Sequence, residues 1–319
     1  MEISLVSVVI PVLNESRSME ELLGRIDKTF DSIKQKYEVI FVDDGSTDDS
    51  FSILKKFTEK FPSLKIIRHH SNFGKSLALM QGFDNAKGEV AIMMDGDLQD
   101  QPEMIPRFIE KIKEGYDLVN GWRQRRNDDY SKNLLSKIFN FFTSLVFRNS
   151  MRDINCGFKA LRREVFESLE LKEGMHRLIP AIAAMKGFKG TDIPVDHEKR
   201  KYGQSNYGLW RATAILDVFY VAILFSPIRP FYGFFKLAIV SFMAGLLMFL
   251  CLIFSNTSPS GEIVWTASSL FFFTGGLIFS FASVILPGVG LVIDLLGTHN
   301  RKSQWRQTFI KEKVSIEEN

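Results

Sequence analysis

The stretch Glu89-Val-Ala-Ile-Met-Met-Asp95-Gly-Asp97-Leu-Gln99-Asp100-Gln-Pro-Glu103 holds a short apolar run, Val90 to Met94, that ends abruptly in acids and amides. The run predicts a buried strand. If the backbone stays extended past Met94, period-two alternation puts Asp95, Asp97 and Gln99 on one face. Hard oxygen ligands at the carboxyl end of a buried strand suit Mg²⁺ or Mn²⁺, which bind few protein carboxylates and leave positions for phosphate oxygens. Pro102 and Glu103 then open a helix, with proline in its first turn and an acid near its positive end. A merely solvated acidic loop has the same composition, so this stretch alone leaves both readings open.

Upstream, Ser4 to Ile10 is rich in Val and Ile and suits a buried strand of a mostly parallel sheet. It lacks the basic flank of a signal peptide and runs into Asn14 and Glu15. Ser18 and Glu21 stand as a capping box for an amphipathic helix from Met19 to Lys34. Tyr37 to Val42 is a second strand, ending in Asp43-Asp44-Gly45-Ser46-Thr47-Asp48, and a helix follows through Phe51 to Lys60. Leu64 to Arg68 reads as a third strand, Lys75 to Ala86 as a third helix, and the strand reaching Asp95 as the fourth. Strands alternating with helices of this length predict a doubly wound, mostly parallel α/β sheet. Ligands of such sheets bind outside the carboxyl ends of the strands, where Pro11 to Glu15, Asp43 to Asp48 and Asp95 to Gln99 all fall. Paired aspartates also serve turns and caps, which is the competing explanation. No G-x-G-x-x-G follows the first strand and no G-x-x-x-x-G-K-[ST] occurs, which argues against a dinucleotide fold of the Rossmann type and a P-loop NTPase.

Downstream, Tyr116 to Gly121 predicts a further strand, followed by Trp122-Arg123-Gln-Arg125-Arg126-Asn-Asp-Asp-Tyr130-Ser-Lys132. Its cations suit an anionic phosphate, or equally a solvated basic loop. Asn133 to Phe147 is a Phe-rich helix; Asp153 to Lys159, the pair His176-Arg177, a helix through Lys186 and a strand from Asp192 to Val195 follow. His197 to Tyr207 is a glycine- and cation-bearing loop, suited to closing over diphosphate or to linking domains.

With 24% charged residues the mean hydropathy is still near zero, because charge nearly vanishes between Leu237 and Ile293. Gly208 to Ser226 reads as an amphipathic helix at a membrane surface. Phe231 to Phe254 and Ile263 to Ile293 each exceed the roughly 20 residues that cross a bilayer core. The intervening Ser255 to Glu262 lacks Lys and Arg, whereas Arg229, Lys236, Arg301, Lys302 and Arg306 flank the outer ends, so both termini are expected in the cytoplasm. Pro287-Gly288 is expected to bend or end the second span. The expected organisation is a cytoplasmic catalytic domain (1–207), an interfacial segment (208–230), a two-helix membrane domain (231–296) in the inner (plasma) membrane and a cytoplasmic tail (297–319). Net charge of +3 without an arginine-rich tract argues against a nucleic-acid partner. Cys156 and Cys251 lie in unlike surroundings, which argues against a disulfide.

Pro11-Val-Leu13-Asn14-Glu15, Asp43-Asp44-Gly-Ser-Thr-Asp48, Asn72-Phe-Gly-Lys75 and Asp95-Gly-Asp97-Leu-Gln99-Asp100 occur in the order in which similar blocks occur in inverting family-2 glycosyltransferases of GT-A fold. The chain resembles in particular the polyprenyl-phosphate glycosyltransferases of the dolichol-phosphate-mannose synthase and bactoprenol glucosyltransferase type, over nearly its whole length. The resemblance implies that Pro11, Leu13, Glu15, Val42 and Asp44 cradle the nucleoside of a nucleotide-sugar, with Gly96 beside it. It implies that Asp95, Asp97 and Gln99 surround Mg²⁺ or Mn²⁺ and the diphosphate, with Arg123 and Arg200 on phosphates and Asp97 and Asp153 in catalysis. Arg126, Lys132 and Arg177 are the candidate acceptor-phosphate contacts. Gln101 and Asn206 depart from the family's more usual proline and lysine. The implied reaction is inverting transfer of a hexose, glucose from UDP-glucose first, to undecaprenyl phosphate, with mannose or an aminopentose as alternatives and a homo-oligomer plausible. A processive polysaccharide synthase would carry more spans and a Q-x-x-R-W motif, which Gln304-Trp305-Arg306 is not; a non-catalytic scaffold would be expected to have lost an acidic block.

Overall fold

A computed structural model of the chain describes residues 2–123, 151–196, 198, 201–202, 230–256, 267–298 and 310–314. The anticipated alternation is present. Strand β1 (Val6–Val12), helix α1 (Met19–Ile33), β2 (Tyr37–Asp43), α2 (Ser50–Phe57), β3 (Leu64–His69), α3 (Lys75–Asp84) and β4 (Val90–Met93) follow one another. A 3-10 turn (Pro102–Met104) leads into α4 (Ile105–Lys113), then β5 (Leu118–Arg123), β6 (Lys159–Arg162), α5 (Arg163–Ser168), α6 (Ile179–Met185) and β7 (Gly190–Val195).

These strands and a last one, β8 (Ile310–Val314), form a single sheet in the order β7-β5-β6-β4-β1-β2-β3-β8. The pairs β1–β2, β1–β4, β2–β3 and β5–β7 are parallel, while β6 runs antiparallel to β4 and β5, and β8 antiparallel to β3. Strand order reverses between β1 and β4, so their carboxyl ends open the crevice in which α/β sheets bind ligands. Pro11 continues β1 instead of ending it. Val9 faces β4, whose Met94 N–H bonds the Val9 carbonyl, and Pro11 faces the same edge where β4 has ended, so its missing N–H costs no ladder bond.

The central strands are apolar because helices cover both sheet faces. Val8, Ile10, Phe41 and Ile92 are wholly buried with Leu22, Ile26 and Phe30 of α1. The Phe30 ring stacks on Tyr37 at 4.4 Å between centroids, and Phe108 of α4 packs tilted at 34° against Phe158 at 4.3 Å, contacts worth about 0.5–1.5 kcal/mol each beyond area burial.

Two local expectations fail. Ser18 makes no capping bond to the α1 backbone; its hydroxyl donates to the carbonyls of Glu15 (2.9 Å) and Gly96 (2.6 Å), exchanging a cap for a tie between α1 and the acidic turn. Strand β4 ends at Met93 and does not run extended through Asp95 to Gln99. Leu98 adopts φ +63°, and the backbone turns there.

Helices α7 (Pro230–Asn256) and α8 (Ala267–Thr298) are long and apolar enough to span a membrane. Phe242, Met243, Leu247, Phe254, Phe281 and Val284 are more than half exposed, which excludes a soluble protein's core pair. The two helices pack through small residues: a Cβ on Gly245 would lie 3.0 Å from Ser280 Oγ. Helix α8 does not end at Pro287 but continues through it. The chain divides into two compact units, Met1–Ala222 with Gln304–Asn319, and Ile223–Ser303. The stretch expected as a bare tail therefore supplies a strand to the first unit's sheet.

Candidate active site

Loops leaving β1, β2 and β4 form the crevice wall. Asn14, at φ +59°, accepts the Thr47 N–H at 2.9 Å through Oδ1 and donates its own N–H to Ser46 Oγ at 2.9 Å. Glu15 N–H donates to Ser50 Oγ (3.1 Å) and Ser16 N–H to Asp48 Oδ2 (3.3 Å). The two loops are thereby stitched into one rigid surface carrying half-buried Pro11, Leu13 and Glu15.

The other residues expected around the nucleoside are turned inward. Val42 is wholly buried, so only its main chain can meet a ligand. Asp44 spends both carboxylate oxygens within the protein: Oδ1 on His69 Nδ1 (2.8 Å) and the Phe73 N–H (2.9 Å), Oδ2 on the Gly74 N–H (2.8 Å). Its carboxylate shapes the entry into α3.

At the end of β4 the three expected metal ligands sit on a turn and not along one face of an extended strand. Asp95 is ion-paired to Lys75, the first residue of α3. Burial pushes the Asp95 carboxyl up, but Lys75, with Lys159 and Arg123 behind it, holds it below the ordinary carboxylate value. Asp97 Oδ1 accepts the Gln99 N–H at 3.1 Å, and Asp100 Oδ2 accepts the Asp95 N–H at 3.2 Å. Gln99 Nε2 donates to the Glu198 carbonyl (3.1 Å) and Gln101 Nε2 to the Glu198 carboxylate (2.8 Å). Gln101 thus docks Glu198 beside the acidic turn. Among the described residues no three His, Cys, Asp or Glu side chains gather as a metal cage. Two carboxylates nonetheless fit Mg²⁺ or Mn²⁺, which take one or two protein carboxylates and complete their shell with phosphate oxygens and water. Asp95 and Asp97 are the residues that would hold such an ion.

Arg123 closes β5 and donates to Asp153 through Nε (2.8 Å) and an Nη (3.1 Å), a bidentate pair in which Asp153 is almost entirely buried. Burial pushes the Arg123 guanidinium down, but Asp153 outweighs it and holds the guanidinium above its ordinary value. The backbone carrying Asp153 is fixed by wholly buried Asn120, whose Nδ2 donates to the Asp153 carbonyl (3.0 Å) and to Asp192 Oδ1 (2.9 Å). Asp192 Oδ2 accepts the Arg152 N–H at 2.8 Å. Cys156, buried nearby, has its thiol pushed up to about 12 by burial and by Asp100, so it is inert as a nucleophile near neutral pH.

Three residues named in the sequence without a site role belong to the site's surroundings. Lys75 was legible only as part of a motif, without a partner. His176 shares a hydrogen bond between Nδ1 and Ser76 Oγ (3.0 Å) and is held well below its ordinary value by burial and by Lys75, Arg177 and Lys159. Lys159 is a wholly buried cation behind the acids. Arg177 lies beside His176, whereas Arg126, Lys132, Arg200, the Phe-rich stretch 133–147 and the interfacial stretch 208–226 lie outside the described residues.

Residues 7–170 match the family described as Glycosyl transferase family 2. Undecaprenyl-phosphate 4-deoxy-4-formamido-L-arabinose transferase of Pseudomonas syringae pv. syringae is 32% identical over 316 residues, 98% of this chain and 91% of the relative. The enzyme of the same name from Klebsiella pneumoniae is 31% identical over 97% of this chain and 93% of its own. Among solved structures, Mycobacterium tuberculosis glucosyl-3-phosphoglycerate synthase in complex with Mn²⁺, UDP and phosphoglyceric acid superposes with a TM-score of 0.55 at 18% identity, covering 69% of this chain and 78% of that one. The latter likeness shows a shared GT-A fold.

Proposed function

The chain belongs to glycosyltransferase family 2, and from that premise we propose that it transfers a sugar from a nucleotide-sugar to undecaprenyl phosphate at the cytoplasmic face of the inner membrane. One observation carries this reading: an acidic crevice ringed by cations and two bare apolar helices occur in one chain, which a water-soluble acceptor would not require. Similarity to the undecaprenyl-phosphate enzymes runs through the helices, covering more than nine tenths of their length. Their name moves the first choice of sugar from the glucose anticipated above to a 4-substituted pentose such as 4-deoxy-4-formamido-L-arabinose.

In the proposed reaction an acceptor phosphate oxygen forms a bond to the anomeric carbon. The bond from that carbon to the donor's diphosphate breaks, and the nucleoside diphosphate leaves with the electron pair, inverting the centre. A phosphate monoester is already largely ionised at neutral pH, so little proton removal is needed. Asp153, locked bidentately by Arg123, is accordingly an orienting group: its carboxylate is spent on the guanidinium. Rigid loops at 13–16 and 46–50 receive the nucleoside, and Lys75, Arg123 and Arg177 place positive charge around the phosphates. A divalent ion held by Asp95 and Asp97 would supply neutralisation of the leaving diphosphate.

The test is nucleoside diphosphate release by the detergent-purified chain with a panel of formamido-arabinose, glucose and mannose nucleotides, with and without undecaprenyl phosphate. Lipid-dependent release with one donor, reduced at least about 10³-fold in Asp97→Ala, is the expected outcome. Asp153→Asn should cost less than the roughly 10²- to 10⁴-fold loss typical of a general base. Release that ignores the lipid with every donor would sink the acceptor assignment.

A further inference from the structure

Lys159 is wholly buried, and its ammonium donates to the Cys156 carbonyl. An ammonium carries three donors, and among the described residues this is its one hydrogen bond. Such a group is expensive: a buried charge short of partners costs several kcal/mol of folding energy, by order of magnitude. Its surroundings show what is gained. The Cys156 N–H closes back on the Asp153 carbonyl at 3.2 Å, so Asp153 to Cys156 is one turn, and Lys159 grips its far end. Gly157, next in the chain, lies flat against Asp95: a Cβ there would sit 2.9 Å from Oδ2 and 3.0 Å from Cγ. Phe158, on the opposite face, is pinned by Phe108. Burial draws the Lys159 ammonium down to about 8, with Asp153 and Cys156 opposing that shift, and Asp95 in turn feels the charge of Lys159.

We propose that Lys159 is a positioning residue for sugar transfer: by holding the Asp153–Gly157 turn through the Cys156 carbonyl, it sets the Asp95 carboxylate and Asp153 at their working separation. The role rests on the transferase reading. It requires that function fall when the charge is removed while stability is kept. Methionine matches the length of lysine without the ammonium, and because the partner of that ammonium is a neutral carbonyl, its removal strands no buried counter-charge on that partner and recovers desolvation energy.

The experiment compares full-length wild type, Lys159→Met and Gly157→Ala in detergent by thermal melting, by binding of Mn²⁺–UDP and by lipid-dependent turnover. Lys159→Met should melt within a few degrees of wild type or above it, bind Mn²⁺–UDP about tenfold more weakly and turn over about 10²-fold more slowly, the loss expected of a site displaced by about 1 Å. Gly157→Ala presses on Asp95 from the same turn without touching the charge, and should reproduce both losses; if Lys159→Met fails to fold, Lys159→Gln takes its place, with the same losses expected because its shorter side chain falls short of the Cys156 carbonyl. Binding and turnover within twofold of wild type in either folded variant, or losses no larger than the fall in folded protein, overturn the proposal. If wild type binds Mn²⁺–UDP yet transfers nothing to undecaprenyl phosphate, the transferase reading fails and the role in sugar transfer with it, and weaker binding by the variants then upholds only the placing of Asp95 within a nucleotide site. A wild type that turns over alongside unaffected variants removes the positioning role alone, and one that neither binds nor turns over removes both.

Discussion

Lys75 and Asp95 show how one contact changes the meaning of a motif. In the sequence, Asp95 is an acid at a strand end and Lys75 a cation in a different motif; in the fold they are an ion pair at the mouth of the crevice. The Asp95 side chain is 36% exposed, so the pair adds little to stability and its value lies in charge placement. Lys75→Met should therefore leave the melting temperature within about 2 °C of wild type, since surface-type ion pairs are worth 0–1 kcal/mol. Donor KM should rise about tenfold, read by nucleoside diphosphate release at varied donor. Wild-type donor kinetics in this variant would show that the lysine serves the fold alone. Identities of Asp95, Asp97, Arg123 and Asp153 were legible because short motifs carry them. Their partners were not, since Lys75 reaches Asp95 across 20 residues of chain and Asn120 reaches the Asp153 carbonyl across 33.

Among elements, the extents of β1 to β4 follow from apolar runs, whereas their joints follow from polar side chains that no run announces. Glu38 sits buried in β2 and accepts the Ser7 hydroxyl of β1 (2.6 Å), the Lys87 N–H before β4 (2.6 Å) and the Lys65 ammonium of β3. Burial pushes the Glu38 carboxyl up, but Lys65, Ser7 and the Lys87 N–H together hold it below its ordinary 4.5. A carboxyl whose folded value is depressed contributes stability that is fully present above its unfolded value and lost as pH falls through the folded one. Glu38→Gln should thus lose about 1–3 kcal/mol at pH 7, and the deficit should shrink as pH drops below about 4.5. Thermal melts of both proteins from pH 7 to pH 3.5 check this; a deficit constant over that range would deny Glu38 its role at the joint. The same logic explains the failed capping box. Ser18 found its partner in the Gly96 carbonyl, distant in sequence and adjacent in space.

At the scale of the whole molecule, the chain leaves the α/β unit, passes through two apolar helices and returns as β8 on the edge of the same sheet. If α7 and α8 both cross a membrane, the pairing of β8 with β3 requires the sheet and the C-terminal strand to share one side of it, the side expected from the flanking cations. In intact cells, a cysteine at Ser258 should be labelled by an impermeant maleimide, while one at Lys313 should be labelled only after permeabilisation. Labelling of both from outside would refute the two-span arrangement. The sequence by itself determined the alternating sheet and helices, the acidic and basic motifs at strand ends, and the apolar pair, because local periodicity, short motifs and hydropathy are properties of neighbouring residues. Only the tertiary structure decided that the backbone turns after Met93, that Asp44 faces inward, that Asp153 is locked by Arg123, that Lys159 lies buried behind the acids and that the C-terminus closes the sheet. Each of these depends on which distant groups share a desolvated interior, where a charge or a backbone amide must find its partner regardless of its distance along the chain.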